Sequence, residues 1–269
     1  MRSLGETSLL MKYKYIDIHA HVNFSEYDTD REAVIKDADQ KGIIIINVGT
    51  DLETSNQVVA LAEKYPNCYA IVGMHPTTAN ETDFDYEAFK KLAMHEKVVG
   101  IGECGLDYFR ETFSKERQIA VFNDEIRLAI ECKKPLMIHA RNSYTDILTV
   151  LDQYLIRTDV ELRGNVHFFA GSVMEAEEFI KRGFSVSYTG VVTFAKQYES
   201  LVVATPHDSI MSETDCPFVT PVPLRGQRNT PSNIPLIVAK MAEIKGLSEE
   251  ALATAIRENA QRMFGIIFS

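Results

Sequence analysis

The chain has 269 residues, 45% of them hydrophobic and 25% charged, and a formal net charge of -10 at neutral pH. That length suits one large α/β domain or two small ones, and the composition is that of an ordinary globular protein. The acidic balance disfavours charge-driven wrapping around a nucleic-acid duplex, and no apolar stretch is long enough to span a bilayer.

Met1 to Leu10 lacks the basic start, apolar centre and small-residue cleavage site of a secretion signal. Residues 1–12 are expected to be a loosely held extension, with Met11 as an alternative start, and residues 13–269 to form the folded domain. Cys68, Cys104, Cys132 and Cys216 are widely spaced and form no Cys-x-x-Cys pair. That spacing argues against a zinc ribbon or redox dithiol and points to a reduced, cytoplasmic setting.

Strand-like and helical patterns alternate from there on. The strand Tyr15–Ile18 is followed by a helix over Asp30–Gln40, then strand Ile43–Val48 and helix Leu52–Lys64. Strand Cys68–Val72 precedes helix Tyr86–His95, and strand Val98–Gly102 precedes helix Ser114–Cys132. Next come strand Leu136–Ile138, helix Ser143–Leu155, strand Gly164–Val166 and helix Val173–Lys181. Strand Phe184–Tyr188, a helix over Phe194–Val203 and strand Ser209–Ser212 complete the alternation. Two helices finish the chain, one over Asn233–Ile244 and one from Ser248, with Glu249 and Glu250 in its first turn. Gly42, Pro66, Pro135 and Gly183 punctuate the returns. Eight strands alternating with helices imply a parallel sheet closed into a single (β/α)8 TIM barrel.

Functional groups of such barrels gather at the C-terminal ends of the strands. His19 and His21 end the first run and share one face, because alternate strand residues point the same way. Asp17 shares that face, as a ligand or as a partner that orients a histidine. His75 follows the third run, Glu103 ends the fourth, His139 and His167 end the fifth and sixth, and Asp215 follows the eighth. His95 and His207 fall elsewhere and are expected at the surface. Cys104 and Cys216 directly follow ligand-type residues, so alternation turns them away from the site.

Imidazoles from His19, His21, His139 and His167 with carboxylates from Glu103 and Asp215 make a set suited to zinc, manganese or magnesium. They are too many for one closed tetrahedral ion. Two divalent ions bridged by Glu103 use them economically, with His19 and His21 on one and His139 and His167 on the other. Asp215 would hold an ion and take a proton from an attacking water. The alternative is a cluster of polar residues bonding one another at the barrel mouth, which is costly to desolvate. His75 either donates to an anionic substrate oxygen or caps a tight Gly-Pro loop. Arg141, Arg225 and Arg228 either pair with phosphate through forked donors or are solvated charges. Phosphate-binding glycine loops and a Gly-x-Ser-x-Gly elbow are absent, which removes common nucleotide-binding and serine-hydrolase readings.

Seven ordered segments carry a resemblance. They are Tyr15-Ile16-Asp17-Ile18-His19-Ala20-His21, Gly73-Met74-His75-Pro76, Gly102-Glu103-Cys104-Gly105-Leu106-Asp107, Ile138-His139-Ala140-Arg141, His167-Phe168-Phe169-Ala170-Gly171, Glu213-Thr214-Asp215-Cys216-Pro217-Phe218 and Arg228-Asn229-Thr230-Pro231. Over residues 14–265 the chain resembles the TatD family of metal-dependent deoxyribonucleases, within the amidohydrolase-like barrels. The resemblance implies that His19, His21, Glu103, His139, His167 and Asp215 are metal ligands, that Asp215 is also the catalytic base, and that His75 contacts the scissile phosphate. It implies hydrolysis of DNA, often from the 3′ end of single strands, with magnesium or another divalent ion. Phe168 replaces a common Cys and Thr230 a common Glu, which weakens a role for the last loop in fixing Arg228. Hydrolysis of esters or amides on the same barrel, as by a lactonase or an aminoacyl-tRNA deacylase, is the rival activity. A metal-loaded scaffold without turnover is the rival of another class. No obligate protein partner is indicated.

Overall fold

The computed structural model of the protein describes residues 12–109, 112–156 and 161–268. Of the expected N-terminal extension only Lys12 is described, and its ammonium pairs with Asp39 at 3.1 Å. The strands are β1 (Tyr15–Ala20), β2 (Ile43–Val48), β3 (Cys68–Val72), β4 (Val98–Asp107), β5 (Leu136–Arg141), β6 (Gly164–Val166), β7 (Phe184–Tyr188) and β8 (Ile210–Ser212). The helices between and after them are α1 (Arg31–Gln40), α2 (Leu52–Lys64), α3 (Tyr86–Ala93), α4 (Lys115–Cys132), α5 (Tyr144–Leu155), α6 (Val173–Lys181), α7 (Glu199–Ala204), α8 (Ile234–Lys245) and α9 (Glu249–Phe264).

Each strand pairs in parallel with the next in sequence, from β1 through β8. The ring closes between β8 and β1. Ala20 bridges Cys216 in parallel, His21 N donates to Cys216 O at 2.9 Å, and Asp215 N donates to His19 O at 3.0 Å. This is the (β/α)8 barrel expected from the alternation. Strands such as Ile43–Val48 are apolar almost throughout because helices cover one side and the barrel interior the other.

Helix starts follow local chemistry. Asp51 caps α2 by accepting from Thr54 N at 2.7 Å, Ser172 and Glu175 form a reciprocal box on α6, and Ser248 caps α9. Gly246 and Gly265 end α8 and α9 in the left-handed region. The helix expected over Phe194–Val203 is shorter. Phe194 and Ala195 have non-helical backbone, a 3-10 turn spans Lys196–Tyr198, and α7 begins only at Glu199.

Three strands run further than the sequence predicts, β1 among them, which ends at Ala20 rather than Ile18. β4 continues to Asp107 and β5 to Arg141, pairing Gly105 with His139 and Asp107 with Arg141. Gly105 permits that approach: at φ +123°, a Cβ there would lie 2.2 Å from the His139 carbonyl oxygen. Both β1 and β4 bulge. Asp17 and Ala20 face Ile45 and Asn47, and Ile101 and Cys104 face Leu136 and Ile138, so each carries one extra residue. The bulged stretches include His19 and Glu103, as expected where a bulge re-aims a side chain.

Asp17 faces the closing seam and lies under the mouth. Its carboxyl accepts from Thr214 N at 2.8 Å and bonds Thr214 Oγ1 at 2.5 Å, tying β1 to the residue before Asp215. Complete burial pushes its pKa up to about 8. A carboxyl with a higher pKa folded than unfolded keeps a proton that the unfolded chain gives up. Folding is therefore penalised as pH rises from about 4 to about 8. Asp17→Asn keeps the shape of the protonated form, so its urea midpoint, measured without added metal from pH 5 to 8, is expected to fall less with pH than that of the unaltered protein.

Candidate metal centre

The side chains at the C-terminal ends of the strands converge on one buried carboxylate. Glu103 Oε1 lies 2.8 Å from His167 Nε2 and 2.9 Å from His139 Nδ1, and Glu103 Oε2 lies 3.4 Å from His19 Nε2 and 3.6 Å from His21 Nε2. His19, His21 and Glu103 form one group able to hold a cation, and Glu103, His139 and His167 form another. Glu103 is common to both. Asp215 Oδ1 stands 3.6 Å from His21 Nε2 and 4.0 Å from His19 Nε2, beside the first group.

Several imidazoles have their ring protons placed by neighbours. His21 Nδ1 lies 2.9 Å from the Val48 carbonyl, which only accepts, so the proton sits on Nδ1 and the Nε2 lone pair faces the centre. Burial lowers the His21 pKa to about 3, so the ring is neutral. The Nε2 atoms of His19 and His21 are 3.0 Å apart, and His139 Nδ1 is 3.2 Å from His167 Nε2. Nitrogen atoms crowded in this way around a carboxylate match the donor set of a bound cation. Among the described residues, the centre fits divalent ions on its own chemistry.

His75 differs. Thr77 N donates to its Nδ1 at 3.2 Å, so Nδ1 holds a lone pair and Nε2 carries the proton. Burial lowers its pKa to about 4, which leaves a neutral N–H donor 3.4 Å from Glu103 Oε1. A protonated nitrogen cannot ligate, whereas it can donate to an anionic oxygen.

The charges follow from this packing. Burial disfavours the Glu103 carboxylate, but His167, His75 and His19 outweigh it and hold the pKa well below the usual range. Burial also disfavours charge on His167, yet Glu103 raises its pKa well above the ordinary value. Asp215 goes the other way: burial dominates and lifts its pKa well above that of a free carboxyl. Asp215 also has φ +50°, and Phe168, next to His167, has φ +42°. Such left-handed backbone at non-glycine residues is costly and is found at functional sites.

Residues that the sequence reading did not assign complete the setting. Asp107 Oδ2 lies 3.1 Å from His139 Nε2, and Glu213 Oε1 lies 3.4 Å from His167 Nδ1. Glu213 also accepts from Phe168 N at 2.7 Å and from Ser187 Oγ at 2.6 Å. From there Ser187, Asn165 and Ser185 continue a hydrogen-bonded chain into the barrel interior. The signal was spacing: Glu213 is two residues before Asp215 and Asp107 four after Glu103, on the same strand face if each strand continued.

A cavity of about 690 Å³ opens over the centre, lined by His21, Glu103, His139, His167 and Asp215 together with His75 and Arg141. Arg225 and Arg228 are not in its lining. Arg225 stacks on Phe194, and Arg228 is held by both carboxylate oxygens of Asp30 at 2.9 and 2.6 Å and by the Glu26 carbonyl. Arg228 is thus fixed without a carboxylate at Thr230. His95 sits half-buried against Glu63 at 3.0 Å and His207 is exposed, both away from the centre. Asp17 belongs to the seam and to neither cation-binding group that contains Glu103. Cys104 and Cys216 are buried free thiols. Glu213→Gln removes the negative charge beside His167 Nδ1 and is expected to lower metal affinity by about 10- to 100-fold in a chelator competition, with the fold retained by circular dichroism.

Comparisons with known proteins agree with this geometry. The chain is 40% identical over 254 residues to an uncharacterized metal-dependent hydrolase, YabD, of Bacillus subtilis, covering 93% of this chain and 98% of that one. It is 33% identical to a 3′-5′ ssDNA/RNA exonuclease TatD of Citrobacter rodentium, covering 93% and 97%. The crystal structure of YjjV, a TatD homologue from Escherichia coli K12, superposes with a TM-score of 0.88 at 28% identity, covering 96% of this chain and all of that one. Residues 16–265 match the model of the TatD related DNase family, so the chain belongs to that family of metal-dependent hydrolases.

Proposed function

We propose that the protein is a two-metal phosphodiesterase that shortens single-stranded nucleic acid from its 3′ end. The observation that carries this reading is Glu103, one of whose oxygens reaches His19 and His21 and the other His139 and His167, and which belongs to both ligand groups. His19 and His21 would hold one divalent ion, His139 and His167 the other, with Glu103 between them and Asp215 beside the first. Bound in pairs, magnesium, manganese or zinc ions lower the pKa of water and stabilise charge on the attacking and leaving oxygens.

The remaining work falls to side chains. Asp215, whose Oδ1 stands beside His19 and His21, accepts the proton of the attacking water. The water oxygen bonds to phosphorus as the bond to the leaving sugar oxygen breaks, and the proton that Asp215 took from the water passes to that leaving oxygen, which restores the carboxylate. His75 donates its Nε2 proton in a hydrogen bond to a non-bridging phosphate oxygen. Arg141, exposed at the cavity wall, offers a forked donor to a flanking phosphate. The direction of digestion and the choice of a single strand rest on the TatD exonuclease relative. Ester or amide hydrolysis has no separate observation in its favour.

Metal-stripped protein is to be incubated with 5′-labelled single-stranded DNA or RNA and magnesium, manganese or zinc. A ladder shortening from the 3′ end is expected only with metal, and Asp215→Asn and Glu103→Ala are each expected to slow it by about 100-fold or more. Protein that binds metal and leaves both strands intact, while cleaving an ester or amide, would contradict the nuclease reading.

A further inference from the structure

Among the described residues, the phenylalanines that stand clearly in solvent are Phe109, Phe194 and Phe218, and all three follow strands at the C-terminal rim. Single exposed apolar side chains are ordinary at a protein surface. Phe109 and Phe218 differ in where they are held. Phe109, 58% exposed, follows β4 by two residues, and its backbone N–H donates to Asp107 Oδ1 at 2.8 Å. The other Asp107 oxygen faces His139. Phe218, 49% exposed, closes a turn in which its N–H donates to the Asp215 carbonyl at 3.0 Å. Each ring is therefore anchored within one short turn of the catalytic cluster.

The two rings also oppose each other. In a ring of eight strands, β4 and β8 lie four strands apart in either direction, so Phe109 and Phe218 stand on opposite walls of one cavity, and both line it. Both rings are braced. The Arg141 guanidinium lies 3.6 Å from the Phe109 ring centroid, covering one face of a ring that is still largely open. Phe218 meets Phe24 edge-on at 6.4 Å, and Phe24 is stacked on His21 at 4.5 Å. The mouth thus pairs flat apolar surface with a cation directly beside a phosphodiester-cleaving centre. Nucleobases have the complementary form: a flat π face joined to an anionic backbone.

Building on the nuclease reading, we propose that Phe109 and Phe218 are stacking platforms for the bases on either side of the scissile phosphate, so that the site selects unpaired nucleotides irrespective of base identity. A base inside a duplex has both faces occupied by its neighbours and cannot offer one to either ring. Stacking is open to every base and involves no hydrogen-bond readout. The rings hold the strand and do not touch the reacting atoms, so their contribution falls on KM.

The test compares metal-loaded wild type, Phe109→Ala, Phe218→Ala and the two Phe→Trp variants. One substrate is a 5′-labelled single strand, and the other is the same strand with abasic analogues at its last two 3′ positions. Both positions are exposed, so truncation is expected to leave the fold intact. Each Ala variant is expected to raise KM on the base-bearing strand by about tenfold or more. On the abasic strand the gap from wild type should shrink to less than about twofold, because no base remains to stack. Tryptophan should restore KM. Since the chain has no tryptophan, the new indole emission should also be quenched on stopped-flow mixing with the base-bearing strand and not with the abasic one. Equal losses on both strands, or no change in KM on the base-bearing strand, would overturn the stacking role and leave the nuclease reading intact. A wild type that cleaves neither strand would overturn the nuclease reading, and this inference with it.

Discussion

A carboxylate buried at the mouth of a barrel must find positive charge or donors, and the architecture of this protein is arranged around that requirement of Glu103. Its oxygens are within 3.6 Å of nitrogen atoms from His19, His21, His75, His139 and His167. Taking such a charge out of water is expensive unless it is paired and bonded. Here the surrounding imidazoles outweigh the cost, since the Glu103 pKa is held well below its usual range despite complete burial. Removing that carboxylate would leave the crowded histidine nitrogens without the anion that they share.

The scaffold around Glu103 follows from the same demand. Bulges in β1 and β4 fall where His19 and Glu103 must turn inward. The seam that closes the barrel passes through Asp17 and Thr214, so closure and the placement of Asp215 are one event. Asp107 and Glu213 orient His139 and His167 from outside the cluster. The left-handed backbone of Asp215 and Phe168 shows where the chain gives up local comfort to serve the site. Stability is thereby placed in the strands and helices, and strain at the rim.

Much of this was legible in the sequence. The β2 and β3 runs and the helix Leu52–Lys64 occur at their expected limits, because a buried parallel strand and an amphipathic helix leave strong periodic patterns. The convergence of His19, His21, Glu103, His139, His167 and Asp215 followed from one rule about strand ends in barrels. Other features left no local pattern. A bulge depends on pairing with a neighbouring strand, so nothing in Gly102-Glu103-Cys104 alone announces it. The extension of β4 and β5 is mutual, each strand continuing because the other does. Arg228 looked free for phosphate because its partner, Asp30, is far away in the chain. Phe109 and Phe218 looked like any other apolar residues, since exposure is a property of the folded surface.

The central claim is that Glu103 joins two cation sites into one centre, and counting ions tests it most directly. Manganese or zinc is to be titrated calorimetrically into metal-stripped wild type and Glu103→Ala, with bound metal verified by elemental analysis after gel filtration. Two ions per wild-type chain are expected, with marked weakening of both sites in the variant. A single ion per wild-type chain, or two ions whose affinities do not depend on Glu103, would contradict it.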